Sequence, residues 1–249
     1  MVFEYASQGD LHHALLKQRS AGRYLSETQV LQWFVPIATG VRHLHAHGIV
    51  HRDLKSLNIV LQSGVPKICD LGISRYRSDD TVFMQSFCGT PAYLAPEMVS
   101  SQPYTEKADV WALGVLLYEL AALRLPFLAG SILEISNLIS RGEYPPLPSH
   151  YSAELTELID RMLQLDQRAR PSVDACITRA TELLAIRARK HASRAAAAAR
   201  AQGQTEEARK DASAQPADAG AQPADASAQA DDRRREGGRH HDGGGGAAD

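Results

Sequence analysis

Apolar residues recur at helical spacing through Val30, Leu31, Phe34, Ile37, Val41 and Leu44, which predicts a helix running to about His47. Ser26 followed by Gln29 has the spacing of a capping box at its start, and Gly48 is a natural stop. Pro36 lies inside this helix and, lacking a backbone donor, predicts a kink. Upstream, residues 2–5 (VFEY) read as a short strand, and Gly9-Asp10 breaks into a helix over roughly 10–19. Ile59–Leu61 and Lys67–Cys69 read as two short strands joined by the turn Ser63-Gly64-Val65-Pro66. Residues 70–104, punctuated by Gly89, Pro91, Pro96 and Pro103, read as irregular. From Val110 to Leu120 the chain is apolar nearly all the way round, the mark of a helix buried at the centre of a lobe, with Thr105 as its cap. Further helices are predicted over 131–141, 152–164 and 172–187, with Pro145, Pro146 and Pro148 in the loop between the first two. The pattern predicts a mainly α body with a few short strands.

This pattern stops abruptly. After Ile186 there is no Val, Ile, Leu, Met, Phe, Tyr or Trp in the chain. A segment without large apolar side chains cannot offset its ordering entropy by burial. The folded domain is therefore expected over 1–187, and 188–249 is expected to be a low-complexity, Ala-rich and largely disordered tail. That tail carries AQPADA at 214–219 and again at 221–226. Its first part, rich in Ala and Arg, could still carry the last helix past 187. A net charge of −2 over 249 residues argues against a strongly basic nucleic-acid binder. No apolar run reaches the ~18–20 residues of a membrane span. The opening residues MVFEYASQGD lack the features of a signal peptide. Cys69, Cys88 and Cys176 show no paired spacing, so a reducing, cytoplasmic setting is expected.

Candidate chemistry is concentrated in His51-Arg52-Asp53-Leu54-Lys55-Ser56-Leu57-Asn58, which matches the protein-kinase catalytic loop HRDLxxxN. Asp70-Leu71-Gly72 follows, close to DFG, and Ala95-Pro96-Glu97 supplies APE. An isolated Asp is ordinarily a capping or salt-bridged carboxylate; three motifs in order reverse that reading. Phosphoryl transfer needs positioning and charge neutralisation more than covalent chemistry. Asp53 can accept the proton of an attacking hydroxyl, and Lys55 can reach the transferring phosphate as a point charge. Asn58 and Asp70 offer hard oxygen ligands of the kind Mg²⁺ prefers.

Residues 2–187 resemble the hinge and C-terminal lobe of a eukaryotic serine/threonine protein kinase. Lys55 within HRDLKSLN and the run Gly89-Thr90-Pro91-Ala92-Tyr93 carry the serine/threonine character. The chain is similar to the NIMA-related kinases through Gly9-Asp10-Leu11, Gln32-Trp33-Phe34, HRDLKSLNIVL, DLGISR, FCGTPAYLAPE and the run from Lys107 to Phe127. The resemblance implies ATP and Mg²⁺ as cofactors and protein Ser/Thr hydroxyls as substrates. It implies Phe3 as gatekeeper, Glu4 and Ala6 as backbone partners of adenine, Asp10 at the ribose and Val60 under the adenine ring. It implies Asp109 as a brace of the catalytic loop, and Arg170 as the partner of Glu97. It also implies regulation by a phosphate on the activation segment, at Ser86 first and Thr81 second, paired with Arg52. Thr90 would contact Asp53 and Lys55. Members of the family often work at centrosomes, cilia or microtubules.

The resemblance begins at the hinge. The family's glycine-rich loop and VAIK lysine do not occur in these residues, so a truncated record with little activity of its own is expected. Without that lobe, Leu11, Val60, Leu71 and part of the 26–47 helix are expected to be uncovered and to invite a partner at the hinge face. The competing reading is a non-catalytic, kinase-like binding module, which need not keep Asp53, Lys55, Asn58 and Asp70. Other features have bland readings. His43 and His47 lack further ligands at metal spacing, Cys69 reads as a buried inert thiol, and the arginines between 187 and 200 as a solvated face.

Overall fold

The computed structural model describes residues 4–70 and 91–213. Seven helices are assigned among them: α1 (Leu11–Ser20), α2 (Glu27–Ala46), α3 (Pro96–Val99), α4 (Lys107–Ala122), α5 (Ile132–Arg141), α6 (Ala153–Met162) and α7 (Val173–Ser213). One two-stranded antiparallel sheet joins β1 (Ile59–Gln62) to β2 (Val65–Ile68), with Ile59 opposite Ile68 and Gln62 opposite Val65. The body is mainly α, as its apolar periodicity predicts.

Helix ends follow their capping chemistry. Asp10 accepts the His13 backbone N–H at 2.8 Å to start α1, and Ser26 accepts that of Gln29 at 3.2 Å to start α2. α2 runs unbroken through Pro36 and buries Val30, Leu31, Phe34, Ile37 and Val41. It stops where Gly48 turns left-handed (φ 72°), with Gly48 N–H on the His45 carbonyl and Ile49 N–H on that of Leu44, both at 3.0 Å. This is the pair of bonds of a Schellman ending.

Several boundaries differ from those the sequence predicts. The β-turn is tighter: only Ser63 and Gly64 lie between the strands, with φ of 50° and 78°, the left-handed pair of a type I′ hairpin. Val65 and Pro66 therefore belong to β2. Residues 4 and 5 form no strand. The chain meets β1 later, through Gln8 N–H to Leu61 O (3.3 Å), Leu61 N–H to Gly9 O (2.8 Å) and a bridge between Asp10 and Val60. The stretch predicted to be irregular holds a 3-10 turn at Pro91–Tyr93 and the short α3, with Pro96 pre-set for its first turn. Thr105 stands one residue outside the cap of α4, at Glu106, and its Oγ1 accepts the Lys107 N–H at 3.3 Å.

α4 is the axis of the body: every residue from Ala108 to Ala122 is buried. Trp111 stacks on Phe127 at 5.5 Å between ring centroids. α6 approaches so closely at Gly114 that an added Cβ would lie 2.9 Å from both Met162 Cβ and Leu163 Cδ2. Leu11 is fully buried, which corrects the expectation that it is uncovered. α1 packs on β1 and on the 3-10 turn Ser56–Asn58, so this lobe covers Leu11 itself. The apolar face of α2 is likewise buried, Val60 is half-buried and Leu71 lies outside the described residues.

α7 continues past the predicted 187, and the chain divides into two units, Met1–Arg200 and Ala201–Asp249. Within the first, Arg187 donates to Glu27 at 2.6 Å, and Glu27 also accepts the backbone N–H and hydroxyl of Ser152 at 2.9 and 2.8 Å. That cluster joins the starts of α2 and α6 to α7. No helix among the described residues is long and apolar enough to cross a membrane.

Candidate active site

The catalytic-loop motif occupies the connection from α2 to β1, ending in the 3-10 turn Ser56–Asn58. Its conformation is imposed from below. Asp109, buried in α4, accepts the backbone N–H of His51 and of Arg52, each at 2.9 Å, and lies 2.8 Å from His45 Nε2. Arg52 is thereby held at φ 69°, a left-handed conformation costly for a side chain other than glycine. His51 is also buried, and its Nδ1 accepts the Asp53 N–H at 3.3 Å. Burial pulls the His51 pKa below the ordinary imidazole value, against the opposing charges of Asp109, Asp53 and Asp70.

Asp53, Lys55 and Asn58 meet. Lys55 Nζ donates to Asp53 Oδ2 at 2.7 Å, and Asn58 Nδ2 donates to the Asp53 carbonyl at 2.8 Å and to Oδ2 at 3.0 Å. Both donors converge on one carboxylate oxygen. Asp70 reaches the same neighbourhood through the sheet. Cys69 N–H donates to the Asn58 carbonyl at 2.9 Å, one step beyond the Ile59–Ile68 pair, and Asp70 follows with φ 62°. The donor set suits a hard divalent cation. Asn58 Nδ2 is committed to Asp53, so of its side-chain atoms the amide oxygen is the one that could hold a cation.

The residues assigned to the nucleotide lie along the segment entering α1. Glu4 is exposed and accepts from Lys67 Nζ at 2.6 Å, and that bond holds its carboxyl below the usual range. Ala6 accepts the Gly9 N–H at 3.5 Å. Asp10 is engaged as the α1 cap, with His13 Nδ1 within 2.9 Å of both carboxylate oxygens. Val60 sits half-buried beside it on β1. Phe3, Thr81, Ser86 and Thr90 lie outside the described residues.

Glu97 and Arg170 form a two-pronged pair, 2.7 Å in each prong, with both side chains buried. Arg170 also donates to the carbonyls of Gln164, Lys107 and Leu165 and lies over the Trp111 ring. Lys107 in turn donates to the carbonyls of Arg170 and Pro171.

Sequence reasoning missed His45, Ser56 and Glu119. Glu119 carried a signal: an acid in an otherwise apolar helix must be hydrogen-bonded. His45 and Ser56 carried none. The bland readings of other residues rest on ordinary contacts. His47 Nδ1 lies 2.8 Å from the His43 carbonyl, and no cluster of three His, Cys, Asp or Glu among the described residues is placed for a metal. Cys69 is only half-buried and lies just past the end of β2, which corrects its reading as a buried strand thiol, although burial still raises its pKa; Cys176 is buried, and burial pushes its pKa up to about 12.

Comparison with known proteins identifies the family. The protein kinase domain family matches residues 1–181. The chain is 39% identical over 181 residues to mouse serine/threonine-protein kinase Nek5, covering 72% of this chain and 28% of that protein. It is 41% identical to mouse Nek4 over 174 residues (70% and 22%) and 39% identical to human Nek2 over 180 residues (70% and 40%). It thus spans less than half the length of the curated relatives it matches. A catalytic loop braced from a buried helix, a paired APE glutamate and these relatives together place the chain in the protein kinase family, among sequences similar to the NIMA-related kinases.

Proposed function

We propose that these residues form the substrate-side half of a serine/threonine protein kinase site, transferring the γ-phosphate of ATP to protein Ser and Thr hydroxyls. The observation that supports this most is the convergence of Lys55 and Asn58 on Asp53 Oδ2. Those bonds fix the Asp53 carboxylate, and its other oxygen takes the proton of the attacking hydroxyl. The Lys55 ammonium, already beside that carboxylate, neutralises charge on the phosphoryl oxygens as the hydroxyl closes in. Mg²⁺, when bound, would supply charge neutralisation at the phosphates. The Asn58 amide oxygen and the Asp70 carboxylate would hold it. Val60 would face the adenine ring and Asp10 the ribose. Arg52 would pair with a phosphate on Ser86.

The test is phosphate transfer from γ-labelled ATP to a Ser/Thr peptide array, using the protein as the cell makes it. Asp53→Asn is expected to lower turnover about 10²–10⁴-fold, the usual contribution of a general base. Transfer by Asp53→Asn at the unsubstituted rate, or label appearing on tyrosine alone, would overturn the proposal.

A further inference from the structure

A second polar cluster meets the loop further along, at Ser56. Ser56 follows Lys55 and opens the turn that ends at Asn58, and it is buried. Its hydroxyl donates to Glu119 Oε1 at 3.0 Å and lies 3.1 Å from the Tyr93 hydroxyl. Tyr93 donates to Glu119 Oε2 and accepts the Ser56 backbone N–H at 3.4 Å. His12 Nδ1 stands 3.4 Å from Ser56 Oγ and 3.9 Å from Glu119 Oε1.

Glu119 is buried in α4, the helix that also carries Asp109. Burial raises its pKa, opposed by the hydrogen bonds from Tyr93 and Ser56. Burying a carboxylate is costly, and well-packed apolar replacements are often neutral or stabilising. Stability alone therefore gives little reason for an acid here. Position gives one. At a rise of about 1.5 Å per residue, Asp109 and Glu119 lie some ~15 Å apart along α4. One takes the loop at His51 and Arg52, the other at Ser56. Asp53 and Lys55 lie between these two holds, and Asn58 lies just past the second.

We infer that Ser56 and Glu119 are positioning residues. The Ser56 hydroxyl, bonded to Glu119, anchors the downstream end of the loop to α4 and so sets where Lys55 and Asn58 present their side chains. Tyr93 joins the same anchor to the turn at Pro91–Tyr93. This rests on the proposed kinase reaction, so the experiment has one arm in activity and one without it.

In the activity arm, Ser56→Ala is expected to lower kcat about ten- to a hundredfold, the scale of a small misplacement of reacting groups. KM for Mg·ATP is expected to stay within about twofold, because the variant removes no ground-state contact to the nucleotide. Ser56→Thr, which keeps the hydroxyl, is expected to restore kcat. An unchanged kcat in Ser56→Ala, a KM that rises as far as kcat falls, or failure of Ser56→Thr to rescue would overturn the inference. In the second arm, amide hydrogen exchange in residues 53–58 is expected to quicken at least about tenfold in Ser56→Ala, while that of α2 stays unchanged. Unchanged exchange in 53–58 would overturn it even in a protein that transfers no phosphate. Should Ser56→Ala not fold, Tyr93→Phe, which removes a single hydroxyl from the cluster, is carried through both arms with the same criteria. A wild-type rate in Asp53→Asn, together with faster exchange in Ser56→Ala, would sink the reaction and leave the anchor standing.

Discussion

The two margins of the candidate site, the catalytic loop and the segment entering α1, are held in different ways. The catalytic loop is fixed from within by Asp109, a buried carboxylate on an apolar helix, and the APE segment by Arg170. The segment entering α1 is tied on the surface, by Lys67 to Glu4 and by the Gly64 N–H to the Gln8 side chain at 2.6 Å. A bond of similar length means different things in the two places. Removing one member of a buried set leaves its partners without water, whereas an exposed pair exchanges its partner for solvent. The loop margin is therefore the one a substitution can ruin, and the hinge margin the one it can adjust.

The largest effect that would break this contrast is expected from Arg170→Met. It strands Glu97 in a buried setting and should cost about 3–5 kcal/mol, read from urea denaturation. Adding Glu97→Leu should recover much of that loss, since the stranded charge is then gone; no recovery would mean that the carbonyl bonds of Arg170 matter more than its ion pair. Gly114→Ala comes next. Its Cβ would press on Met162 and Leu163, and overpacking should cost about 1–3 kcal/mol. A neutral result would show that α4 and α6 can part without cost. A smaller effect is expected from pH. His51 titrates below its ordinary 6.5 in the folded chain, so the unfolded chain binds the extra proton first. Stability should therefore fall as pH drops from 6.5 toward the folded value, and level off below it. A His51→Gln variant should lose that part of the slope in denaturation curves taken at successive pH values. Lys67→Ala should have the smallest effect, with no measurable change in the thermal midpoint. A clear drop there would erase the distinction between the margins.

How much of this was legible depends on sequence distance. The face of α2 could be read because helical periodicity is local, and its apolar positions are buried as predicted. The loop chemistry could be read because Asp53, Lys55 and Asn58 fall within six consecutive residues. His45 with Asp109, and Ser56 with Glu119, are separated by 64 and 63 residues, and no local pattern foretells such closures. Leu11 was misjudged for the same reason: its cover comes from β1 and the Ser56–Asn58 turn, far along the chain. The hairpin was misread by two residues because Pro66 suggests a turn, whereas Ser63 and Gly64 alone supply the left-handed pair that a two-residue connection needs.

Arg52 holds a backbone shape that most side chains avoid, and the grip of Asp109 on two successive amides keeps it there. The peptide at this corner is a cocked spring, and Asp109 is the latch at the upstream end of the loop. Releasing it would let Arg52 relax toward ordinary backbone and shift the start of the segment that carries Asp53.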